Sequence, residues 1–203
     1  MKADSSTVDK PTDKSPVAGR PRDPRIDASI LRAAAELLVE IGYSNVTMAA
    51  VAERAGTTKT ALYRRWSSKA ELVHEATFPA TPTALAAASS SFADDVRAMV
   101  NATRDVFTTP VVRAALPGLV ADMASDPELN ARVMQRFAGL FATVRDRVTR
   151  AVDNGEARPA LDPDRLVEVI GGATMLRLLL RPGEALSDEW VDQTTALIVH
   201  GIG

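Results

Sequence analysis

Six polar side chains lie between Thr57 and Arg64, and their types suit binding rather than bond breaking. The three threonines and Lys59 carry hydrogen-bonding groups that can meet the edges of nucleobases. Tyr63 and Arg64 are long enough to reach phosphate oxygens. The segment therefore predicts recognition of a polyanion.

The charge around this segment points the same way. Between Arg54 and Lys69 the chain has five basic residues and no acidic one. Residues 1–76 carry 12 Lys and Arg against 10 Asp and Glu, and residues 77–203 carry 12 against 16. A basic cluster in an otherwise acidic protein favours a polyanionic partner, although a run of charge is also typical of a solvated surface.

The sequence has few of the side chains and motifs that catalysis or metal binding requires. The chain has no cysteine, which excludes disulfides, thiolate metal sites and cysteine nucleophiles. Its two histidines, His74 and His200, are far apart, and no glycine-rich phosphate loop is present. We therefore expect no enzymatic activity, no metal and no cofactor.

Composition favours a soluble globular protein, with 46% hydrophobic and 25% charged residues. The longest apolar run, Val169 to Leu180, is too short to span a bilayer and contains Arg177. The first thirty residues have no apolar signal core. These features predict a cytoplasmic protein without a membrane partner.

The elements that position the polar segment are predicted to be helices. An acceptor side chain followed by proline, a common helix start, occurs at Asp23, Thr109, Asp126 and Asp162. Ser91 and Ser187 give further capping signals, and Pro117-Gly118 is expected to kink or split the helix that contains it. Without period-two alternation, the expected fold class is all-α, with about nine helices.

Two short helices with a tight turn between them enclose the polar segment. Thr47 can cap the first helix, Ala55-Gly56 can end it, and Thr58 can cap a second helix that runs to Trp66. This is the spacing of a helix-turn-helix, in which the start of the second helix enters the major groove of DNA. An ordinary helical hairpin has the same spacing and stays open as an alternative.

A family resemblance lies in four segments: IGY at 41–43, VAERAG at 51–56, LYRRW at 62–66 and SKAEL at 68–72. They are similar to the pattern of the TetR family of transcriptional regulators, over residues 24–76. The resemblance implies a three-helix DNA-binding head, a fourth connecting helix, and a helical body that dimerises and commonly holds a small-molecule inducer. The corresponding divisions are a disordered basic arm at 1–22, a DNA-binding domain at 23–76 and a body at 77–203.

The family's roles can be transferred to matching positions. Base readers would be Thr58, Lys59 and Thr60, with Thr57 beside them, and phosphate contacts would come from Thr47, Tyr63, Arg64 and Lys69. The chain departs from the family at Thr57, where valine is usual, at Thr60, where glycine is frequent, and at Trp66, where phenylalanine is commoner. The operator is therefore expected to differ from those of better-known relatives.

The arm ends in a short basic motif. Arg20 and Arg22 resemble the arginines that other DNA-binding arms insert into the minor groove. A solvated basic tail is the alternative.

The last two predicted helices, 163–180 and 187–201, would form the dimer interface by family analogy, although a core within one chain would use the same side chains. The candidate interface residues are Val167, Ile170, Gly171, Met175, Leu178, Trp190, Thr194, Leu197 and Ile198.

An inducer pocket would lie among the middle helices, where apolar side chains are also typical of an ordinary core. The candidate lining residues are Met99, Phe107, Leu116, Leu119, Met123, Met134, Phe137 and Phe141. The candidate polar groups for orienting a ligand are Arg104, Arg113, Asp122, Gln135 and Arg145.

Together these features predict a homodimeric bacterial regulator that binds a pseudo-palindromic double-stranded operator. We expect a repressor that a small, largely apolar effector releases from DNA. A DNA-binding regulator without a small-molecule ligand, controlled by a protein partner, is the alternative.

Overall fold

The computed structural model describes residues 24–78 and 90–201, and these residues form nine α-helices, one 3-10 helix and no strand. The first part contains α1 (Pro24–Ile41), the 3-10 helix (Tyr43–Asn45), α2 (Met48–Arg54), α3 (Lys59–Tyr63) and α4 (Lys69–Thr77). The second part contains α5 (Phe92–Phe107), α6 (Pro110–Ser125), α7 (Pro127–Asp153), α8 (Pro163–Leu180) and α9 (Asp188–His200). The all-helical prediction is confirmed.

Most helices begin where the capping side chains predict. The Asp126 carboxylate accepts a 2.9 Å hydrogen bond from the Leu129 amide, and the Asp162 carboxylate accepts one of 2.9 Å from the Asp164 amide. Thr109, Ser91 and Ser187 cap α6, α5 and α9 in the same way. The Asp23 start signal and the arm with Arg20 and Arg22 lie outside the described residues.

One expected boundary is wrong, and one expected interruption is not a split. Helix α3 ends at Tyr63 rather than continuing to Trp66, since the chain turns there to bring Trp66 into the core. Helix α6 runs uninterrupted across Pro117 and Gly118 instead of splitting. The glycine there has a packing role, because the Tyr43 ring occupies the space that a side chain at position 118 would fill.

Three groups of apolar side chains hold the helices together. The head core joins α1 to α4 and also takes Ala115 and Leu119 from α6. The body core joins α5, α7, α8 and α9. A smaller cluster formed by Ala70, Leu129 and Val133 connects α4 to α7. The head therefore packs on the body through α6 and α7.

A search of the described helices for one long and apolar enough to span a membrane finds none.

Candidate nucleic-acid interface

Helices α2 and α3 form a helix-turn-helix unit whose ends are fixed by threonine caps. The Thr47 hydroxyl accepts from the Ala50 amide at 3.1 Å, and the Thr58 hydroxyl accepts from the Ala61 amide at 3.2 Å. Between the helices Gly56 adopts a φ of 65°, a left-handed conformation that suits glycine. The tight turn inferred from the sequence is thus present with both caps made.

The unit has one buried and one exposed side. Leu62 is fully buried in the head core with Val51, as expected for the inward anchor of α3. The opposite side of α3 exposes the candidate DNA-binding residues Thr58, Lys59, Thr60, Tyr63 and Arg64. Lys59 lies four positions before Tyr63, and Thr60 lies four positions before Arg64, so these four residues share one side of the helix. Thr58 caps its start.

The remaining candidates differ in accessibility. Tyr63 is 56% exposed although it is a large aromatic residue, and Thr47 is also exposed. Thr57 is half-buried at the turn. Exposure leaves Thr47 and Tyr63 free to meet a ligand, whereas Thr57 is less accessible than its neighbours.

The basic cluster is partly structural. Arg54 forms a bidentate pair with Glu40, with distances of 2.9 and 2.7 Å, and Arg65 pairs with Asp27. Lys59 and Arg64 are exposed and pair with no acid within the described residues. Of the five basic residues between Arg54 and Lys69, Lys59 of α3 and its C-cap residue Arg64 therefore place positive charges without a described acidic partner on the exposed face.

Lys69, the remaining member of the basic cluster, binds to Tyr43. Its ammonium donates to the Tyr43 carbonyl at 3.2 Å and lies 4.1 Å from the centroid of the Tyr43 ring. Its contact with a phosphate remains a prediction.

The connecting helix α4 begins with the expected cap, in a modified form. The Ser68 hydroxyl accepts from the Glu71 amide at 3.1 Å, but the Glu71 carboxylate accepts from the amide and hydroxyl of Ser67, each at 2.7 Å. The return bond of the capping box is thus one residue earlier than the sequence pattern predicts. Both bonds fix the path from α3 into α4.

The candidate pocket residues are distributed over three apolar clusters and the surface, and their role in a pocket stays a prediction. Met99 belongs to the body core, Leu119 to the head core, and Met123 and Phe137 pack on the small cluster between α4 and α7. Met134 lies at the surface. Phe107, Leu116 and Phe141 are buried or half-buried. Periodicity identified apolar faces but not the helix that each face meets.

Four of the five polar groups considered as ligand anchors bind within the chain instead. Asp122 accepts from Tyr43, Arg104 pairs with Asp188, Arg145 pairs with Asp164, and Arg113 donates to a backbone carbonyl. Gln135 is exposed.

The apolar side chains of α8 lie partly inside the protomer and partly at its surface. Ile170 and Leu178 are buried inside the protomer. The apolar residues that α8 exposes are Val169, Leu176, Leu179 and Leu180. Val169, Gly172, Leu176 and Leu179 follow the spacing i, i+3, i+7 and i+10, so they lie on a single helix face. A dimer interface on this helix stays a prediction.

The other interface candidates are more varied. Leu197 on α9 is exposed, whereas Trp190, Ile198 and Val167 pack against the body core and are half-buried. Gly171, Met175 and Thr194 are also half-buried.

Sequence reasoning missed the polar contacts between head and body. The Glu75 carboxylate of α4 accepts from the Trp66 indole at 2.8 Å and from Arg136 of α7 at 2.7 Å. Tyr43 of the 3-10 helix donates to Asp122 of α6. Residues so distant along the chain give no local signal, although Tyr43 lies in the family motif.

His74 lies at the same junction without a hydrogen-bond partner. It is 2% exposed, its ring lies 5.2 Å from that of Phe78 and 5.5 Å from that of Phe137, and both ring nitrogens are unpaired within the described residues. Burial, followed by the charge of Arg136, lowers the pKa of His74 to about 4, with Glu75 acting in the opposite direction.

This pKa makes stability fall as the solution is acidified. An unfolded histidine titrates near pH 6.5, so below that pH the unfolded chain binds a proton that the folded chain refuses until about pH 4. We expect the free energy of unfolding of the wild type to lose about 2 kcal/mol more between pH 7.5 and 5 than that of His74→Leu. Urea titrations at both pH values measure it, and equal losses would contradict the assignment.

Comparisons with known proteins agree with this geometry. Residues 30–76 match the family model of bacterial regulatory proteins of the tetR family, and residues 86–198 match that of the tetracyclin repressor-like C-terminal domain. An uncharacterized HTH-type regulator of Bacillus subtilis, YdeS, is 30% identical over 177 residues, which cover 85% of this chain and 87% of the relative. A repressor named TetR from Mycobacteroides abscessus is 29% identical over 81% of this chain and 86% of its own length.

Solved structures have the same fold. The TetR family regulator SCO0332 superposes with a TM-score of 0.68 and 31% identity, over 88% of this chain and 99% of that one. The regulator FadR of Bacillus subtilis, solved with stearoyl-CoA, has a TM-score of 0.64 at 15% identity, over 87% of this chain and 99% of that one. The chain belongs to the TetR family of DNA-binding transcriptional regulators.

Proposed function

We propose that the chain is a homodimeric repressor that binds a pseudo-palindromic operator and leaves it when a small, largely apolar effector binds to the body. A regulator of this family needs a surface that reads DNA, a second copy to supply the other half-site, and a means of changing the relation between the two heads.

The exposed face of α3 is the observation that carries the proposal. Thr58, Lys59 and Thr60 lie at the start of the recognition helix, where side chains reach base edges in a helix-turn-helix complex. Tyr63 and Arg64 follow one turn later, at a position suited to phosphates. Lys59 and Arg64 also have no acidic partner among the described residues, so their charges are available to DNA.

The exposed face of α8 supports the dimer. Val169, Leu176 and Leu179 form an apolar stripe that one chain leaves open, and Gly172 within it has no neighbouring atom where a side chain would be. A glycine at this position lets a second helix approach closely. In a dimer of this kind each head meets one half-site, and the two half-sites lie about 34–36 Å apart on B-DNA.

The effector proposal rests on the aromatic contacts around α4. The Phe78 ring lies 6.1 Å from that of Phe107 and 5.8 Å from that of Phe137, so an apolar cluster connects the end of α4 to α5 and α7. A ligand that separates these rings would bias the position of α4, and it releases DNA only if it favours the DNA-incompetent state. The solved relative with stearoyl-CoA provides a precedent for a ligand with a long apolar chain in this fold. Control by a protein partner is the second candidate.

A fluorescence anisotropy titration tests DNA binding. The probes are the intergenic duplex upstream of the protein's own gene and a scrambled duplex of equal length, each at several salt concentrations. We expect two protomers per site and a clear preference for the intergenic duplex. Equal, salt-sensitive binding to both duplexes would contradict specific recognition of this DNA.

Two substitutions on α3 separate base reading from phosphate contact. Tyr63→Phe should weaken binding to all sequences by roughly 2- to 10-fold, the value of one hydrogen bond, because a phosphate carries no base identity. Lys59→Ala should instead relax the preference at particular base pairs. A base-by-base substitution scan of the bound duplex distinguishes them. A selective loss with Tyr63→Phe, or a uniform loss with Lys59→Ala, would show that the role was assigned wrongly.

A further inference from the structure

Tyr43 belongs to the head in sequence, but its side chain lies against the body. A β-carbon at Gly118 of α6 would overlap three atoms of the Tyr43 ring. The ring therefore rests directly on the α6 backbone, and no residue with a side chain fits at position 118 unless the ring moves. This contact explains a glycine in the interior of a helix, where alanine is intrinsically favoured.

The hydroxyl of the same tyrosine fixes the ring in a second direction. It donates to the carboxylate of Asp122, which lies one helical turn after Gly118 on α6. Burial and this carboxylate both raise the pKa of Tyr43, so the phenol stays protonated and remains a donor at physiological pH. The missing side chain at Gly118 lets the ring rest on the α6 backbone, and Asp122 limits its rotation.

Tyr43 also holds the start of α4. Lys69 donates to the Tyr43 carbonyl at 3.2 Å, and its ammonium lies 4.1 Å from the ring centroid, within range of a cation–π contact. A single residue thus joins the 3-10 helix, α4 and α6. Because Tyr43 precedes α2 by a few residues, a shift of the ring on α6 would carry the helix-turn-helix with it.

We propose that Tyr43, Gly118 and Asp122 form a joint that fixes the orientation of each head on its body and thereby sets the half-site separation that the dimer accepts. These three are positioning residues rather than DNA contacts. The inference rests on the proposed function, since half-site separation has meaning only for a dimer on DNA. It goes beyond that function by naming the residues that determine spacing selectivity.

The first test measures the orientation of the head on the body in the absence of DNA. The chain has no cysteine, so Arg32→Cys on α1 and Thr149→Cys on α7, both exposed in the wild type, allow two spin labels on one chain. Dilution with unlabelled protein restricts the electron–electron resonance signal to the pair within a chain. We expect a narrow distance distribution that becomes broader or shifted in Gly118→Ala and in Tyr43→Phe.

Gly183→Ala is the matched control. It adds the same methyl group at a glycine with no atom within 4 Å of the new carbon and no positive φ. Its distance distribution should match that of the parent. If Gly118→Ala and Tyr43→Phe both leave the distribution unchanged, the joint is overturned, whatever the protein does with DNA.

The second test measures how strongly the dimer discriminates between half-site separations. The probes are a duplex that the wild type selects from a random pool and versions with one or two base pairs inserted or removed at its centre. We expect the ratio of affinities between parent and altered spacing to fall by roughly tenfold in Tyr43→Phe, the value of one hydrogen bond to a charged group. If Gly118→Ala and Tyr43→Phe both kept the wild-type ratio of affinities, the inference would be overturned. The proposed repressor function would not be affected by that result. If the wild type selected no duplex, that result would instead count against the proposed function. The distance measurement would still test the joint.

Discussion

Replacing Leu176 with glutamate should convert the dimer to monomers and remove specific operator binding. Leu176 is 56% exposed in the single chain and lies in the apolar stripe of α8 with Val169, Gly172 and Leu179. In the proposed dimer this side chain is covered, and an unpaired carboxylate there is strongly unfavourable. Light scattering measures the mass at micromolar concentrations, and anisotropy measures operator affinity.

The loss of DNA affinity should be large because it removes one of two linked half-sites. When the second head is no longer tethered to the first, its binding becomes a separate event, and we expect affinity for the full operator to fall by at least about a hundredfold. Val39→Glu on α1 is the control, since Val39 is 54% exposed but lies in the head. A Leu176→Glu protein that keeps a dimer's mass would place the interface on another surface.

Trp66→Ala should be the most destabilising single substitution in the head. Trp66 is 1% exposed and is among the largest fully buried side chains, and its indole donates to Glu75 at 2.8 Å. Removing a buried tryptophan leaves a cavity, and such changes cost about 3–5 kcal/mol. The free energy of unfolding from urea titrations checks the value.

A variant that retains most of the volume separates packing from the hydrogen bond. Trp66→Phe should lose less stability than Trp66→Ala, because it keeps one aromatic ring while it removes the indole donor and part of the side-chain volume. Trp190→Ala provides a comparison in the body, where the tryptophan is half-buried and a smaller loss is expected. If Trp66→Ala cost no more than Trp190→Ala, the indole at position 66 would not be holding the head core together.

Local structure was predictable because its causes lie within a few residues of the chain. The caps at Thr47, Thr58 and Ser68 each join a side chain to an amide three residues later, so their spacing is visible in the sequence. The same holds for the exposed face of α3, where Leu62 marks the buried side.

Long-range packing was not predictable from the same information. Tyr43 and Asp122 are 79 positions apart, and nothing near either residue indicates the other. In α8 the apolar residues surround much of the helix, so periodicity could not tell whether Ile170 or Leu176 faces the protomer's own core. A helix with more than one apolar side is typical of an element that packs on more than one partner.

The internal pairing of Arg54 and Arg65 affects how the protein searches a genome. Attraction to DNA of any sequence grows with the number of cations that can neutralise phosphates, and each such contact lengthens the time spent on the wrong site. Because these two arginines are paired with α1, Lys59 and Arg64 are the exposed members of the basic cluster that pair with no acid among the described residues. The head should therefore hold non-cognate DNA weakly and exchange between sites quickly, so that residence depends on the contacts of the threonine hydroxyls and Lys59 that only the matching sequence satisfies.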